Sequence, residues 1–131
     1  MKTCSKCKLT KNLDDFYNQK SHSQGKMSYC KSCFNINCIQ RWIKIKIDAI
    51  HYKGGKCEDC NLELKNSHYS VFEFHHLNPL EKEFDWNKLR LRSILKINSE
   101  LDKCALLCAN CHRIKTFERG SFWKDKFTKN N

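Results

Sequence analysis

The chain has 131 residues, 25 Lys/Arg against 14 Asp/Glu for a formal net charge of +11, ten cysteines and a single proline. That length holds one compact domain or two very small ones, and pieces below about 40 residues usually need a metal or disulfides to stay folded. No apolar run is long enough to cross a bilayer, and the opening MKTCSKCKLTKN lacks the apolar core of a secretory signal, so a disulfide framework is disfavoured and a reducing, cytoplasmic setting is expected.

Residues 1–34 read as a first unit. Cys4 and Cys7 open it, Cys30 and Cys33 close it, and each pair has the Cys-x2-Cys spacing that delivers two sulfurs to one ion from a tight turn. A short strand or turn with aromatic packing lies between them, which is the layout of a zinc-ribbon-like finger. Phe16 and Tyr17 are expected to form its small core rather than a stacking platform for bases.

Residues 35–55 read as a basic connector. Ile43, Ile45 and Ile47 alternate like a strand, whereas Ile39, Ile43, Ile47 and Ile50 follow a helical stripe. The helix is favoured despite its β-branched residues, and Gly54-Gly55 supplies a stop. Arg41, Lys44 and Lys46 then lie mostly off the apolar stripe, where they face either phosphates or solvent. Cys38 reads as a small apolar residue of this helix.

Residues 56–119 carry the most chemistry. The knuckle Cys57/Cys60 comes first, then the β-rich HYSVFEFHHLNP, then an insert in which Trp86, Leu89, Leu91, Ile94 and Leu95 are expected to pack as one or two short helices. The knuckle Cys108/Cys111 follows and runs into a helix, which completes a second four-cysteine set and leaves Cys104 outside both. His112 directly follows a knuckle cysteine, and His75 and His76 leave the strand nearby. Three histidines are thus expected to gather beside a structural zinc without being its ligands. His22, His51 and His68 have no motif around them. Residues 120–131 form a short basic tail with Phe122, Trp123 and Phe127.

Charge follows the same division. Residues 1–56 hold 12 Lys/Arg against 3 Asp/Glu, and residues 57–131 hold 13 against 11. A zinc ion on four thiolates carries a net −2, so two such sites would lower the total from +11 to about +7. The basic front suits a polyanion-binding arm, with a merely soluble basic chain as the bland alternative.

FHHLNP (74–79) followed by KCALLCANCH (103–112) resembles the HNH endonucleases of the ββα-metal class, in the phage and bacterial branch with adjacent zinc knuckles. The resemblance covers about residues 56–119, and residues 1–34 more loosely resemble the small zinc finger that often precedes such domains. It implies a small zinc-stabilised α+β fold, a ββα-metal core preceded by a finger and a connecting helix. It implies a metal-dependent DNA endonuclease that acts on duplex DNA as a monomer or homodimer. His75 and His112 would bind a catalytic Mg²⁺ or Mn²⁺, and His76 would be the general base that activates water. Cys57, Cys60, Cys108 and Cys111 would hold one structural Zn²⁺, as Cys4, Cys7, Cys30 and Cys33 would hold another in the finger.

The residue types suit that chemistry. Phosphodiester hydrolysis needs a proton acceptor that titrates near neutrality and positive charge at the phosphate. Glu73, on the same strand face as His75, would orient His75 or a water as a supporting carboxylate. Arg113 and Lys115, just after His112, are candidate phosphate clamps. One residue departs from the family pattern: Lys103 stands where the middle Asn braces the loop beneath the catalytic His. The competing class is a non-catalytic double-zinc DNA-binding module, which would bind DNA with steep salt dependence and cut nothing.

Overall fold

A computed structural model describes residues 1–119 of the chain; the basic tail at 120–131, with Phe122, Trp123 and Phe127, lies outside them. The fold is small and mixed α+β, with two clusters of four cysteines. It divides into two compact units, Met1–Ile43 and Lys44–Asn131. None of its helices among the described residues is long and apolar enough to cross a membrane.

The first unit is built from two minimal hairpins. Strands β1 (Lys2–Thr3) and β2 (Thr10–Lys11) pair antiparallel around the Cys4–Cys7 knuckle. Strands β3 (Phe16–Asn18) and β4 (Lys26–Cys30) pair with Phe16 opposite Cys30. Only Cys4, Phe16 and Cys30 are buried here, flanked by Tyr29 and the other two cysteines. The sequence expectation for Phe16 as core holds, whereas Tyr17 is exposed and sets its ring edge-on to Phe34.

Helix α1 (Lys31–Tyr52) begins inside the second knuckle, earlier than the expected connector, so Cys33 sits on its first turn. It is a continuous helix of 22 residues, and the boundary between the units falls within it. The helical reading of the isoleucine stripe is therefore the correct one. Gly54 and Gly55 end it with φ of 102° and 74°, a left-handed turn in which the Gly55 N–H reaches back to the Ile50 carbonyl at 2.9 Å.

In the second unit, strands β5 (Phe72–His76) and β6 (Cys104–Cys108) pair antiparallel in an unbroken register from Phe72–Cys108 to His76–Cys104. Between them lie α2 (Trp86–Leu89), capped by Asp85, and α3 (Ile94–Leu101), capped by Ser93. Helix α4 (Ala109–Arg119) follows β6 directly and packs against both strands. One core cluster joins Ile50, Cys57, Phe72, Leu106, Leu107 and Cys108. The other joins Ala49, Leu89, Ile97 and Leu101, and Phe74 touches both clusters.

The insert corrects one expectation. Short helices form and Leu89 is buried, but Leu91, Ile94 and Leu95 are exposed at 69%, 62% and 80%. Ile97 and Leu101 supply the apolar face instead. Ser93 caps the helix at Ile94, and the i, i+4 pair of Ile97 and Leu101 then turns inward together.

Candidate functional site

Each four-cysteine set brings its sulfurs within 4.8 Å of one another. The two opening knuckles are folded alike. The N–H of Cys4 donates to the Leu9 carbonyl and that of Lys8 to the Cys4 carbonyl, both at 2.9 Å; Cys57 to Leu62 and Asn61 to Cys57 repeat the pattern at 2.9 Å. Lys8 and Asn61, each directly after the second cysteine, take φ of 65° and 62° to close the turn. Tetrahedral Zn–S bonds of about 2.3 Å place sulfurs roughly 3.8 Å apart, and the Cys60 and Cys108 sulfurs lie 3.7 Å apart. Both sets are thus compatible with structural zinc.

Four thiols this close cannot all ionise without a cation among them. Burial works against the Cys4 thiolate, but the N–H groups of Cys30, Cys7 and Lys6 aimed at its sulfur outweigh it and pull it down to about 6. Cys33 is pushed up to about 12, first by the Cys30 sulfur beside it. Burial and its three sulfur neighbours likewise push Cys111 up. Cys104 stands apart: burial holds its thiol at about 11, and it donates to the Glu100 carbonyl at 3.5 Å. Cys38 is half-buried on α1 and joins neither set.

Successive residues of β5 point to opposite faces. Glu73 and His75 share one, where α4 delivers His112 from the turn that follows Cys108. The His75 and His112 rings meet edge to face with centroids 5.2 Å apart and planes at 72°. The Glu73 carboxylate contacts His112 Nδ1 directly. Glu73 therefore orients His112, a contact that the sequence reading, which set Glu73 beside His75 or a water, did not foresee; the β5–β6 register sets it opposite Leu107, close to where α4 starts. Two imidazoles and a carboxylate form a donor set that suits a divalent cation. Among the described residues, however, only the two cysteine sets bring three or more ligand atoms within 4.8 Å.

His76 lies on the other face, with Phe72 and Phe74. Its Nε2 is 2.8 Å from Glu100 Oε1, and an ionised carboxylate can only accept, so Nε2 carries the proton. Glu100 is 1% exposed, the one carboxylate buried among the described residues. It also accepts from the Glu83 N–H at 2.9 Å, the Phe84 N–H at 3.3 Å and Lys103 Nζ at 2.9 Å. Burial pushes the Glu100 carboxyl up, but these donors prevail and hold it at about 2.

Lys103 further donates to the Glu81 carbonyl at 3.2 Å, and its own carbonyl accepts from the Leu77 N–H at 3.1 Å. His76 also borders a cavity of about 50 Å³ with Phe84, Trp86 and Cys104, space enough for one water. Sequence reading missed Glu100. Its only signal was an acidic residue one helical turn before Lys103.

The expected basic residues differ in their surroundings. Arg113 is exposed on α4, and Lys115 pairs with Asp59 at 3.7 Å. Lys44 pairs with Asp48 at 2.8 Å, and Arg41 is exposed on the stretch of α1 that belongs to the first unit. Lys46 is half-buried, its ammonium 4.7 Å from the Phe74 ring centroid and 5.1 Å from that of Trp86. His68 accepts from the Ser70 N–H and caps its own turn, while His22 and His51 are exposed. Compared with known protein families, curated proteins and solved structures, the chain finds no match.

Proposed function

We propose that the protein is an HNH-type, metal-dependent endonuclease that hydrolyses phosphodiester bonds in duplex DNA, with two structural Zn²⁺ ions. What carries the reading is one strand used on both sides: His75 beside His112 and Glu73 on one face, and His76 braced by a buried carboxylate on the other. A binding module has no use for that division.

His75 and His112, supported by Glu73, are the residues that would hold a catalytic cation. A Mg²⁺ or Mn²⁺ ion, when bound, supplies positive charge at the scissile phosphate. His76 accepts the proton of the attacking water. Arg113 and Lys115 draw the DNA backbone toward α4, Lys115 exchanging Asp59 for phosphate. Arg41, Lys44 and Lys46 on α1 are further candidate contacts to the DNA backbone.

The test is plasmid nicking by the full chain with Mg²⁺ or Mn²⁺. His76→Ala is expected to lose roughly 10²-fold or more in rate, while zinc content and fold persist. Unchanged nicking in that variant would remove His76 as the base. Salt-sensitive DNA binding with no cleavage under any divalent cation would instead establish the non-catalytic module.

A further inference from the structure

Resting on the nuclease reading, we infer that Glu100 is a positioning residue for the reaction: it fixes His76 as the Nε2–H tautomer and so assigns the proton-accepting role to Nδ1. Nothing in the motif itself makes that choice. An imidazole in solution distributes its proton between both nitrogens, and only the ring nitrogen without the proton can take one from water. Here the choice is made by geometry. Glu100 Oε1 lies 2.8 Å from Nε2, and the carboxylate cannot turn away, because Glu83 N–H, Phe84 N–H and Lys103 Nζ hold it at 2.9, 3.3 and 2.9 Å.

The same carboxylate compensates the charge that appears during turnover. Water gives a proton to His76 Nδ1 as its oxygen forms the new bond to phosphorus. The bond from phosphorus to the 3′ oxygen breaks, and its electron pair leaves on that oxygen, which takes a proton from solvent. His76 then returns its proton to solvent. While it is doubly protonated, its Nε2–H still points at Glu100. This is the logic by which a buried carboxylate orients a catalytic histidine in hydrolytic triads.

Lys103 acquires a role of its own in this arrangement. It ties the carboxylate to the loop through the Glu81 carbonyl at 3.2 Å and accepts from the Leu77 N–H at 3.1 Å. The residue at the usual Asn position therefore still braces the chain beside His76, and it does so partly through Glu100.

Two measurements on the zinc-loaded full chain decide the matter. The first is ¹⁵N-resolved NMR of the His76 ring in the wild type at mildly alkaline pH, where Nε2–H is expected to dominate; a dominant Nδ1–H overturns the inference. The second is Glu100→Gln, whose amide can either donate to or accept from Nε2. With zinc content and backbone spectrum retained, kcat is expected to fall on the order of 10²–10⁴-fold with KM within about twofold, alongside a mixed tautomer signal. A kcat within about threefold of wild type, when His76→Ala is inactive, rules the role out. If Glu100→Gln does not fold, the wild-type tautomer decides alone. If the wild type cleaves nothing with Mg²⁺ or Mn²⁺, the nuclease reading fails, and the tautomer still reports whether Glu100 sets the ring.

Discussion

Lys46 sits where an ammonium is costly. Burial pushes it down to about 8, against a smaller pull upward from the Glu73 charge, and two aromatic faces stand in for the missing water. An unfolded lysine titrates near 10.4, so between about pH 8 and 10.4 the unfolded chain binds more protons than the folded one. The Lys46 contribution therefore raises stability as pH climbs through that window, and below about 8 the full penalty applies. Lys46→Met keeps most of the volume and removes the charge. It is expected to be more stable than wild type at neutral pH by about 1–3 kcal/mol, after a cation–π loss of about 0.5–1 kcal/mol. The gap should close toward pH 10. Urea unfolding of both proteins at two pH values measures it, and a less stable variant at neutral pH would mean the ring contacts outweigh desolvation. If the proposed nuclease function holds and Lys46 contributes to DNA binding, the same variant should also bind DNA more weakly.

Helix α3 shows how one element divides its apolar residues. Leu101 is fully buried, whereas Leu95 is 80% exposed. Leu101→Ala is expected to cost about 2–4 kcal/mol, and Leu95→Ala less than about 0.5 kcal/mol. Thermal or urea denaturation distinguishes them, and equal losses would place Leu95 in the core. Both leucines look alike in sequence, because which face turns inward depends on where Ser93 starts the helix and on what Ala49 and Phe74 offer it.

The locally encoded features were legible. A knuckle is closed by its own backbone, and the alternation of Phe72, Phe74 and His76 marks one face of β5 without help from elsewhere. Glu100 was not legible, because its partners Glu83, Phe84 and His76 come from two stretches apart from α3 and meet only when β5 pairs with β6. For the same reason Glu73 could be placed on the His75 face, but not assigned to His112. The register that decides it joins strands separated by the whole insert.

At the scale of the molecule, the two units differ in how much holds them apart from metal. Residues 1–43 bury only Cys4, Phe16 and Cys30, two of which belong to the cysteine set. The second unit has two apolar clusters besides its cysteines. A core so small cannot offset chain entropy, so metal binding and folding should be one event in the first unit. Residues 1–43 also carry 8 Lys/Arg against 2 Asp/Glu, a positive charge that, on the proposed nuclease function, would neutralise phosphates when folded.

Cys7→Ser removes one ligand from that set alone. Zinc, measured by mass spectrometry, is expected to fall from two ions per chain to one. Backbone resonances of residues 1–43 should collapse while those from Cys57 to His112 persist. DNA affinity should drop, and the slope of log K against log salt should flatten by about 0.9 for each phosphate that the unfolded unit no longer neutralises. Nicking per bound complex should change little, since Glu73, His75, His76, Glu100 and His112 all belong to the second unit. Retention of two zinc ions, or collapse of both sets of resonances together, would show that the cysteine sets are not independent folding centres.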